Sequence, residues 1–191
     1  MLDEVLSKQA LAALLRFARE ATVWHDPNNG YLGAYFEEGW TNPLLLQLVE
    51  ELRFVFPAIV GDLPLEQMWA YKYDQSMDGI DIHADHAKVN LNLWITPDDA
   101  SLDGQAAGGD GGGMTVWLKE PPSNWEFAQF NGGDHEEMEE FVRGSAYVTV
   151  PYKQNRAVMF KSSLLHRTNP GRWKPGYLNR RINLTFLFGS I

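Results

Sequence analysis

The stretch IDIHADHAKVNLNLWIT, residues 80–96, contains two short runs in which apolar and polar side chains alternate. Alternation with a period of two is typical of β-strands that bury one face. In the second run Val89, Leu91, Leu93 and Ile95 share one face, and polar side chains and a tryptophan occupy the other. The stretch therefore predicts two strands, each with one face directed toward a core.

The same period of two recurs along the chain after about residue 66. Short turns separate most of these runs, which we interpret as strands. The predicted strands are MWAYKY (68–73), IDIHAD (80–85), KVNLNLWIT (88–96), MTVWL (114–118), AYVTVPY (146–152), RAVMF (156–160) and RINLTFLF (181–188).

Helical patterns dominate the chain before residue 66. Asn42 suits the N-cap of a helix, Pro43 suits its first turn, and Pro57 ends it. Another helix is predicted over about 134–143, and the segment 27–40, rich in glycine and aromatic residues, is predicted to be a loop. The first helix is predicted from a stripe with i, i+3, i+4, i+7 spacing: Leu11, Leu14, Leu15 and Ala18.

This order of elements predicts an α+β chain that is mainly β, with a sandwich or barrel and helices packed on one face. We expect a single domain over residues 1–191, with helical support over 1–65 and a β-core over 66–191. The segment Asp98–Gly113 contains DGQAAGGDGGG and is predicted to be either a surface insertion or a lid, not ordered throughout.

Composition excludes several classes of function. The 191 residues include no cysteine, which excludes disulfides, iron–sulfur clusters, thiolate zinc sites and cysteine nucleophiles. With 16 basic and 25 acidic residues the net charge is −9, which disfavours broad electrostatic binding to nucleic acid or anionic lipid. The N-terminus is charged and no long apolar run occurs, so we expect a cytoplasmic protein that does not span a membrane.

The histidines suggest a metal site. His83 and Asp85 lie two apart in a predicted strand and so share a face, and His166 follows the predicted strand 156–160. Two histidines and one carboxylate, with no thiolate available, form the facial triad that holds non-haem Fe(II). The alternative is a set of His83, His86 and His166 around another metal, in a cupin-type isomerase or hydrolase.

Two predicted strands carry polar side chains on one face: Asn90 and Asn92 on the first, and Arg181, Asn183 and Thr185 on the last. One interpretation is an ordinary sheet whose polar side faces water. The other is a polar interior that holds a ligand. A buried arginine needs an anionic partner, so Arg181 in such an interior is expected to bind a carboxylate in bidentate geometry.

The ordered residues His83, Asp85, His166 and Arg181 resemble the Fe(II)/2-oxoglutarate-dependent dioxygenases. The strand that follows Arg181 looks like the final core strand of the prolyl-hydroxylase-like and AlkB-like branches. Three longer stretches are similar to bacterial 2-oxoglutarate oxygenases: GIDIHADHAKVNLNLWITPDDASLD (79–103), GGGMTVW (111–117) and YLNRRINLTFLFG (177–189).

The resemblance implies a double-stranded β-helix, or jelly roll, of the cupin type. It implies that His83, Asp85 and His166 bind Fe(II) and that Arg181 binds the C5 carboxylate of 2-oxoglutarate. The remaining cosubstrate contacts that it implies come from polar residues of the core strands: Tyr73, Asn92, Asn183 and, as a weaker candidate, Tyr71.

The resemblance also implies a reaction. With O₂, the enzyme converts 2-oxoglutarate to succinate and CO₂ and hydroxylates an unactivated C–H bond on a peptide, an amino acid or a small metabolite. Nucleic acid is disfavoured as the substrate by the charge of −9. Two alternatives stay open: the non-oxidative metalloenzyme described above and a catalytically silent jelly-roll binding module.

Overall fold

The computed structural model describes residues 1–103 and 111–190, and these residues form two antiparallel sheets with a two-stranded ribbon beside them. Helices cover the outer surfaces. The helices are α1 (Lys8–Glu20), α2 (Pro43–Val55), α3 (Phe127–Phe130) and α4 (His135–Val142). The strands are β1 (Asp26–Asn28), β2 (Tyr31–Tyr35), β3 (Leu65–Tyr73), β4 (Ser76–Met77), β5 (Ile80–His83), β6 (Val89–Trp94), β7 (Met114–Trp117), β8 (Tyr147–Val150), β9 (Arg156–Lys161), β10 (His166–Thr168), β11 (Gly171–Arg172) and β12 (Ile182–Phe188).

The first two helices form as their sequence patterns predict. The Asn42 side chain accepts a hydrogen bond from the backbone N–H of Leu45 at 2.9 Å, which caps α2, and Ser7 caps α1 in the same way. Leu14 on α1 and Leu45 on α2 are fully buried in a core shared with the outer face of the larger sheet. The two helices therefore stabilise this sheet from one side.

The larger sheet has the strand order β1-β2-β3-β12-β6-β9. Its centre is β12, which pairs along its full length with both β3 and β6. All of the strands predicted from the period of two are present, and their ends shift by a few residues. The strand after Arg181 is thus buried in the middle of the sheet, where its side chains face structure on both sides.

The prediction of a loop over residues 27–40 is wrong for its first part. Strands β1 and β2 form a hairpin in which Asn28 pairs with Tyr31, and β2 then extends the larger sheet next to β3. Gly30 turns the chain with φ of +84°, a left-handed conformation that glycine adopts without strain. The Asn-Gly turn signal, rather than the aromatic content, decides the structure here.

The smaller sheet has the order β5-β10-β7-β8, and α4 packs on its outer face. Strand β5 ends at His83, so the prediction that it continues to residue 85 is wrong, and Asp85 lies in the turn that follows. Strand β10, which the sequence pattern does not reveal, begins at His166 and lies between β5 and β7. A core that includes Trp94, Met114 and Val158 joins the two sheets.

The polar faces of β6 and β12 point into the protein. Asn90, Asn92, Asn183 and Thr185 are all buried, which excludes the interpretation that these faces are in contact with water. Two sheets around a polar interior are consistent with the predicted jelly roll.

The glycine-rich segment is described at its two ends. Ser101 forms a bridge to Trp173, and the N–H of Gly112 donates to the carbonyl of Pro170 at 2.7 Å. Residues 104–110, which include the centre of the predicted lid or insertion, lie outside the described residues. Among the described residues, no helix has the length and apolar character needed to cross a bilayer.

Candidate metal centre

Three predicted metal ligands meet at one point between β5 and β10. His83 and His166 are directly opposite each other across the two strands, with their ring centroids 4.3 Å apart. Asp85 places one carboxylate oxygen 4.0 Å from Nε2 of His83 and the other 3.5 Å from Nε2 of His166. One ligand atom from each residue lies within 4.8 Å of the others, and no other such group occurs among the described residues.

Backbone hydrogen bonds orient both imidazole rings. Nδ1 of His83 lies 2.7 Å from the carbonyl oxygen of Asp81, and Nδ1 of His166 lies 2.9 Å from that of Leu164. A carbonyl oxygen accepts only, so each Nδ1 carries a proton, and Nε2, which lies on the side of Asp85, is the nitrogen available to a metal. This second hydrogen bond is typical of histidines that bind metals.

The protonation states also suit a metal. Burial lowers the pKa of His83, and the neighbouring His166 lowers it further, which favours the neutral ring. Burial acts to raise the pKa of Asp85, but the neighbouring His166 and His83 and the hydrogen bond from Asn90 outweigh it and lower the pKa overall. The site therefore offers two imidazole nitrogens and one ionised carboxylate, and His83 remains partly exposed to solvent.

These donors fit a divalent transition metal. Two imidazole nitrogens and one carboxylate on a single face of an octahedron leave positions open for other ligands, which is the arrangement of non-haem Fe(II) sites. His86, the ligand of the alternative set, is not part of the cluster; its ring packs edge-on against Phe127 at 5.9 Å. The alternative set of His83, His86 and His166 is therefore not favoured.

Arg181 is a fully buried cation without a described counter-ion. Its side chain is 0% exposed, and its Nε donates to the carbonyl of Gly112 at 2.7 Å. Nη1 and Nη2 have no hydrogen-bond partner among residues 1–103 and 111–190. The rings of Tyr73, Trp94 and Tyr152 surround the guanidinium at 4.6, 5.6 and 5.8 Å. Two aligned donors in such surroundings fit a carboxylate ligand.

Tyr73 offers a further donor next to this cation. Its backbone N–H donates to the carbonyl of Arg181, and its buried hydroxyl has no hydrogen-bond partner among the described residues. Burial raises the pKa of Tyr73, although the Arg181 charge opposes this, so the hydroxyl keeps its proton. An anion bound to the guanidinium can therefore also accept from Tyr73.

Tyr71 lies farther along β3, in an aromatic cluster. Its ring is 4.5 Å from the ring of Tyr31, and its hydroxyl is 3.5 Å from the hydroxyl of Tyr35. Burial raises the pKa of Tyr71 strongly. Its hydroxyl thus has a partner within the protein, whereas the hydroxyl of Tyr73 does not, which makes Tyr73 the better candidate for a ligand contact.

Asn90, for which the sequence predicted no site role, links the predicted cosubstrate contacts Asn92 and Asn183 to the metal cluster. Asn90 donates to Asp85 at 2.6 Å, and Asn92 donates to Asn90 at 2.7 Å. Asn183 donates to Asn92 at 2.9 Å, while its own Oδ1 has no partner among the described residues. The ligand role of Asn92 and Asn183 stays a prediction. The alternation of the strand put Asn90 on the same face as Asn92, which was the available signal.

No protein-family model and no curated protein sequence matches the chain. Solved structures do resemble it. HygX from Streptomyces hygroscopicus, in a structure with nickel and 2-oxoglutarate bound, has a TM-score of 0.65 at 10% sequence identity, with 99% of this chain and 81% of that chain covered.

Two further structures show the same architecture. The viral collagen prolyl hydroxylase vCPH from Paramecium Bursaria Chlorella virus-1, in its 2OG complex, has a TM-score of 0.59 at 11% identity, covering 100% of this chain and 94% of that one. SnoN, a non-heme alpha ketoglutarate dependent epimerase from nogalamycin biosynthesis, has a TM-score of 0.61 at 14% identity, covering 99% and 77%. The chain thus has the jelly-roll fold of the Fe(II)/2-oxoglutarate-dependent oxygenases, as its sequence predicts.

Proposed function

We propose that this protein is an Fe(II)/2-oxoglutarate-dependent oxygenase. The observation that carries the proposal is a buried arginine without a described counter-ion in the same interior as a cluster of two histidines and an aspartate. Hydrogen bonds from Asp85 through Asn90 and Asn92 lead to Asn183, two residues beyond Arg181 on β12. A dicarboxylate with a metal-binding keto acid at one end suits both features.

In this proposal His83, Asp85 and His166 hold Fe(II). The iron, when bound, supplies the redox chemistry with O₂ that no side chain can provide. The protein's contribution is to fix three donors on one side of the ion and to leave the other side open. The lowered pKa values of His83 and Asp85 favour the neutral ring and the ionised carboxylate, which are the forms that bind a metal.

Arg181 and Tyr73 hold the distal carboxylate of 2-oxoglutarate. Nη1 and Nη2 of Arg181 can form two parallel hydrogen bonds, and the Tyr73 hydroxyl can form a third. The surrounding rings exclude water, so the donors are already oriented when the anion arrives. In this proposal the keto-acid end of the molecule then faces the metal ligands.

The proposed reaction is hydroxylation of an unactivated C–H bond on a peptide, an amino acid or a small metabolite, with 2-oxoglutarate converted to succinate and CO₂. The proteins of similar fold include both a prolyl hydroxylase and an epimerase. The class of oxygenase and the outcome of its oxidation are thus two separate parts of the proposal, and hydroxylation is the more specific one. The alternative of a cupin-type isomerase or hydrolase requires His86 as a third histidine ligand, and His86 is not part of the cluster. The alternative of a catalytically silent binding module predicts that 2-oxoglutarate is not turned over.

The proposal is tested by turnover of 2-oxoglutarate. We expect the full chain, supplied with Fe(II), 2-oxoglutarate and air, to release succinate, and to release none without O₂ or with a chelator. Asp85→Ala is expected to lower the rate at least 100-fold, because the metal loses its only anionic ligand. Its circular dichroism spectrum should remain that of the wild type.

Control reactions separate the alternatives. A silent binding module releases no succinate under any condition, whereas a non-oxidative metalloenzyme binds zinc and shows no effect of 2-oxoglutarate. Succinate release by Asp85→Ala at the wild-type rate would contradict the assigned ligands. Mass spectrometry of candidate peptides, amino acids and metabolites, searched for the gain of one oxygen, then identifies the substrate.

A further inference from the structure

Asp85 lies in a turn, beyond the end of β5. Its backbone is held by Ser162, since the N–H of Asp85 donates to the Ser162 carbonyl at 3.2 Å and the Ser162 hydroxyl donates to the Asp85 carbonyl at 3.1 Å. The side chain has a separate support: Nδ2 of Asn90 donates to Oδ2 of Asp85 at 2.6 Å. Asn90 is 0% exposed, so water cannot replace this donor.

An asparagine can present either end of its amide, and Asp85 accepts only from the Nδ2 end. Asn92 determines which end faces Asp85, because its Nδ2 donates to Oδ1 of Asn90 at 2.7 Å. Asn90 must therefore direct its own Nδ2 toward the carboxylate.

The orientation of Asn92 is determined in turn by β12. Its Oδ1 accepts from Nδ2 of Asn183 at 2.9 Å and from the hydroxyl of Thr185 at 3.1 Å. The Asp85 carboxylate can only accept, so it fixes the direction of the whole chain of hydrogen bonds, and the Thr185 hydroxyl, which can donate or accept, donates at the far end of the chain. Every donor then points toward Asp85.

We propose that Asn90 is a positioning residue for the metal ligand Asp85 and that Asn92 and Thr185 set its orientation. This inference rests on the proposed function, since it requires that a metal binds at the cluster. Asn90 acts through Asp85 and does not touch the metal. Losing a hydrogen-bond partner of a ligand typically weakens metal affinity 10–100-fold.

The test is an anaerobic titration of the full chain with Co(II) alone, followed by the visible absorption of the bound ion. Asn90→Leu keeps the branched shape of the side chain, with a somewhat larger volume, and removes the donor. We expect it to weaken Co(II) binding about 10–100-fold and to change the band shape, because the carboxylate is free to rotate. The melting temperature without metal should fall, because Nδ2 of Asn92 and Oδ2 of Asp85 each lose a buried hydrogen-bond partner. The titration is therefore run at a temperature at which circular dichroism shows that the variant is folded.

Asn92→Leu is the second variant and leaves Asn90 in place. Without a donor on its Oδ1, Asn90 loses its fixed orientation, so we expect an affinity between those of the wild type and Asn90→Leu. Thr115→Val is the matched control: Thr115 is buried on β7, and its hydroxyl donates to Asn169, outside this chain of hydrogen bonds. Its Co(II) affinity should equal that of the wild type.

The outcomes separate this inference from the proposed function. If the wild type binds no Co(II), the metal site itself is disproved. If the wild type binds Co(II) and both leucine variants bind it with equal affinity and an identical spectrum, the positioning role is overturned while the metal site stands. If Asn90→Leu does not fold, Asn92→Leu carries the same comparison.

Discussion

At the scale of single residues, Arg181 is a buried cation whose surroundings favour an anionic ligand. A cation that is removed from water without a counter-ion destabilises the folded state by several kcal/mol. Here only the carbonyl of Gly112 and three aromatic rings offset this penalty among the described residues. Arg181 is thus better suited to binding an anion than to stabilising the fold.

Arg181→Met is expected to separate these two properties. Replacing a buried, incompletely paired cation by an apolar side chain of similar length should leave the melting temperature of the metal-free protein unchanged or higher. The stabilisation by 2-oxoglutarate should be lost, with affinity at least 30-fold lower, in line with about 2–5 kcal/mol for a buried charge pair. Thermal melts with and without Fe(II) and 2-oxoglutarate measure both effects, and an undiminished 2-oxoglutarate shift in the variant would remove Arg181 from its role.

Tyr73→Phe makes a finer test of the same end of the site. The variant keeps the ring against Arg181 and loses only the hydroxyl. We expect 2-oxoglutarate affinity to fall about 10-fold, as for one hydrogen bond to a charged group, with Co(II) affinity unchanged. Tyr71→Phe serves as the control, because that hydroxyl already lies near Tyr35. Equal losses in the two variants would argue against a specific contact from Tyr73.

At the scale of elements, Lys72 on β3 joins the larger sheet to α1. Its Nζ donates to the carbonyl of Ala18 at 2.8 Å and to the hydroxyl of Tyr177 at 2.5 Å, and it lies 4.1 Å from the ring of Trp24. The Lys72 side chain has no carboxylate partner among the described residues. The last turn of α1 thus packs on the sheet through a lysine that is not compensated by an anion.

This surrounding changes the protonation of Lys72. Burial lowers its pKa from 10.5 to about 7, and the charges of Arg180 and Arg19 add to the effect. Between about pH 7 and 10.5 the unfolded chain then holds a proton that the folded chain lacks. Since the unfolded state binds more protons, the free energy of unfolding rises with pH across this window. Below the window both states hold the proton, and Lys72 causes no change of the free energy of unfolding with pH.

The corresponding variant is Lys72→Met. We expect its free energy of unfolding to be higher than that of the wild type at pH 6.5 to 7 and to lack the rise with pH that Lys72 contributes. Urea denaturation in the lower part of the window, below the ordinary pKa of tyrosine, measures this. Parallel pH profiles for the two proteins would show that Lys72 is not the group responsible.

Elements were predicted with unequal success, for physical reasons. Strands β6 and β12 alternate apolar and polar side chains over their first five residues, VNLNL and INLTF, a pattern that favours a strand. Strand β10 has three residues and exists because β5 and β7 pair with both of its edges, which local sequence does not encode. The hairpin of β1 and β2 was missed because its segment, rich in glycine and aromatic residues, was interpreted as a loop. Its Asn-Gly pair indicates the turn of a hairpin.

At the scale of the whole molecule, the candidate site joins distant parts of the chain. The order of His83, Asp85, His166 and Arg181 could be recognised from sequence, and three of these residues meet as expected. Asn90 could not be assigned from its type alone, because a buried asparagine has many partners in a core. The Arg181–Gly112 contact depends on how the end of the glycine-rich segment returns to the barrel, which no periodicity describes.

We propose that one interior holds both a metal and 2-oxoglutarate, and anaerobic visible absorption measures the two together. The protein loaded with Fe(II) is titrated with 2-oxoglutarate. We predict a weak charge-transfer band that saturates at one equivalent and requires both Fe(II) and 2-oxoglutarate. The band should be absent in Asp85→Ala and should need far more 2-oxoglutarate in Arg181→Met. A protein that binds Fe(II) but develops no band at any 2-oxoglutarate concentration would contradict the account.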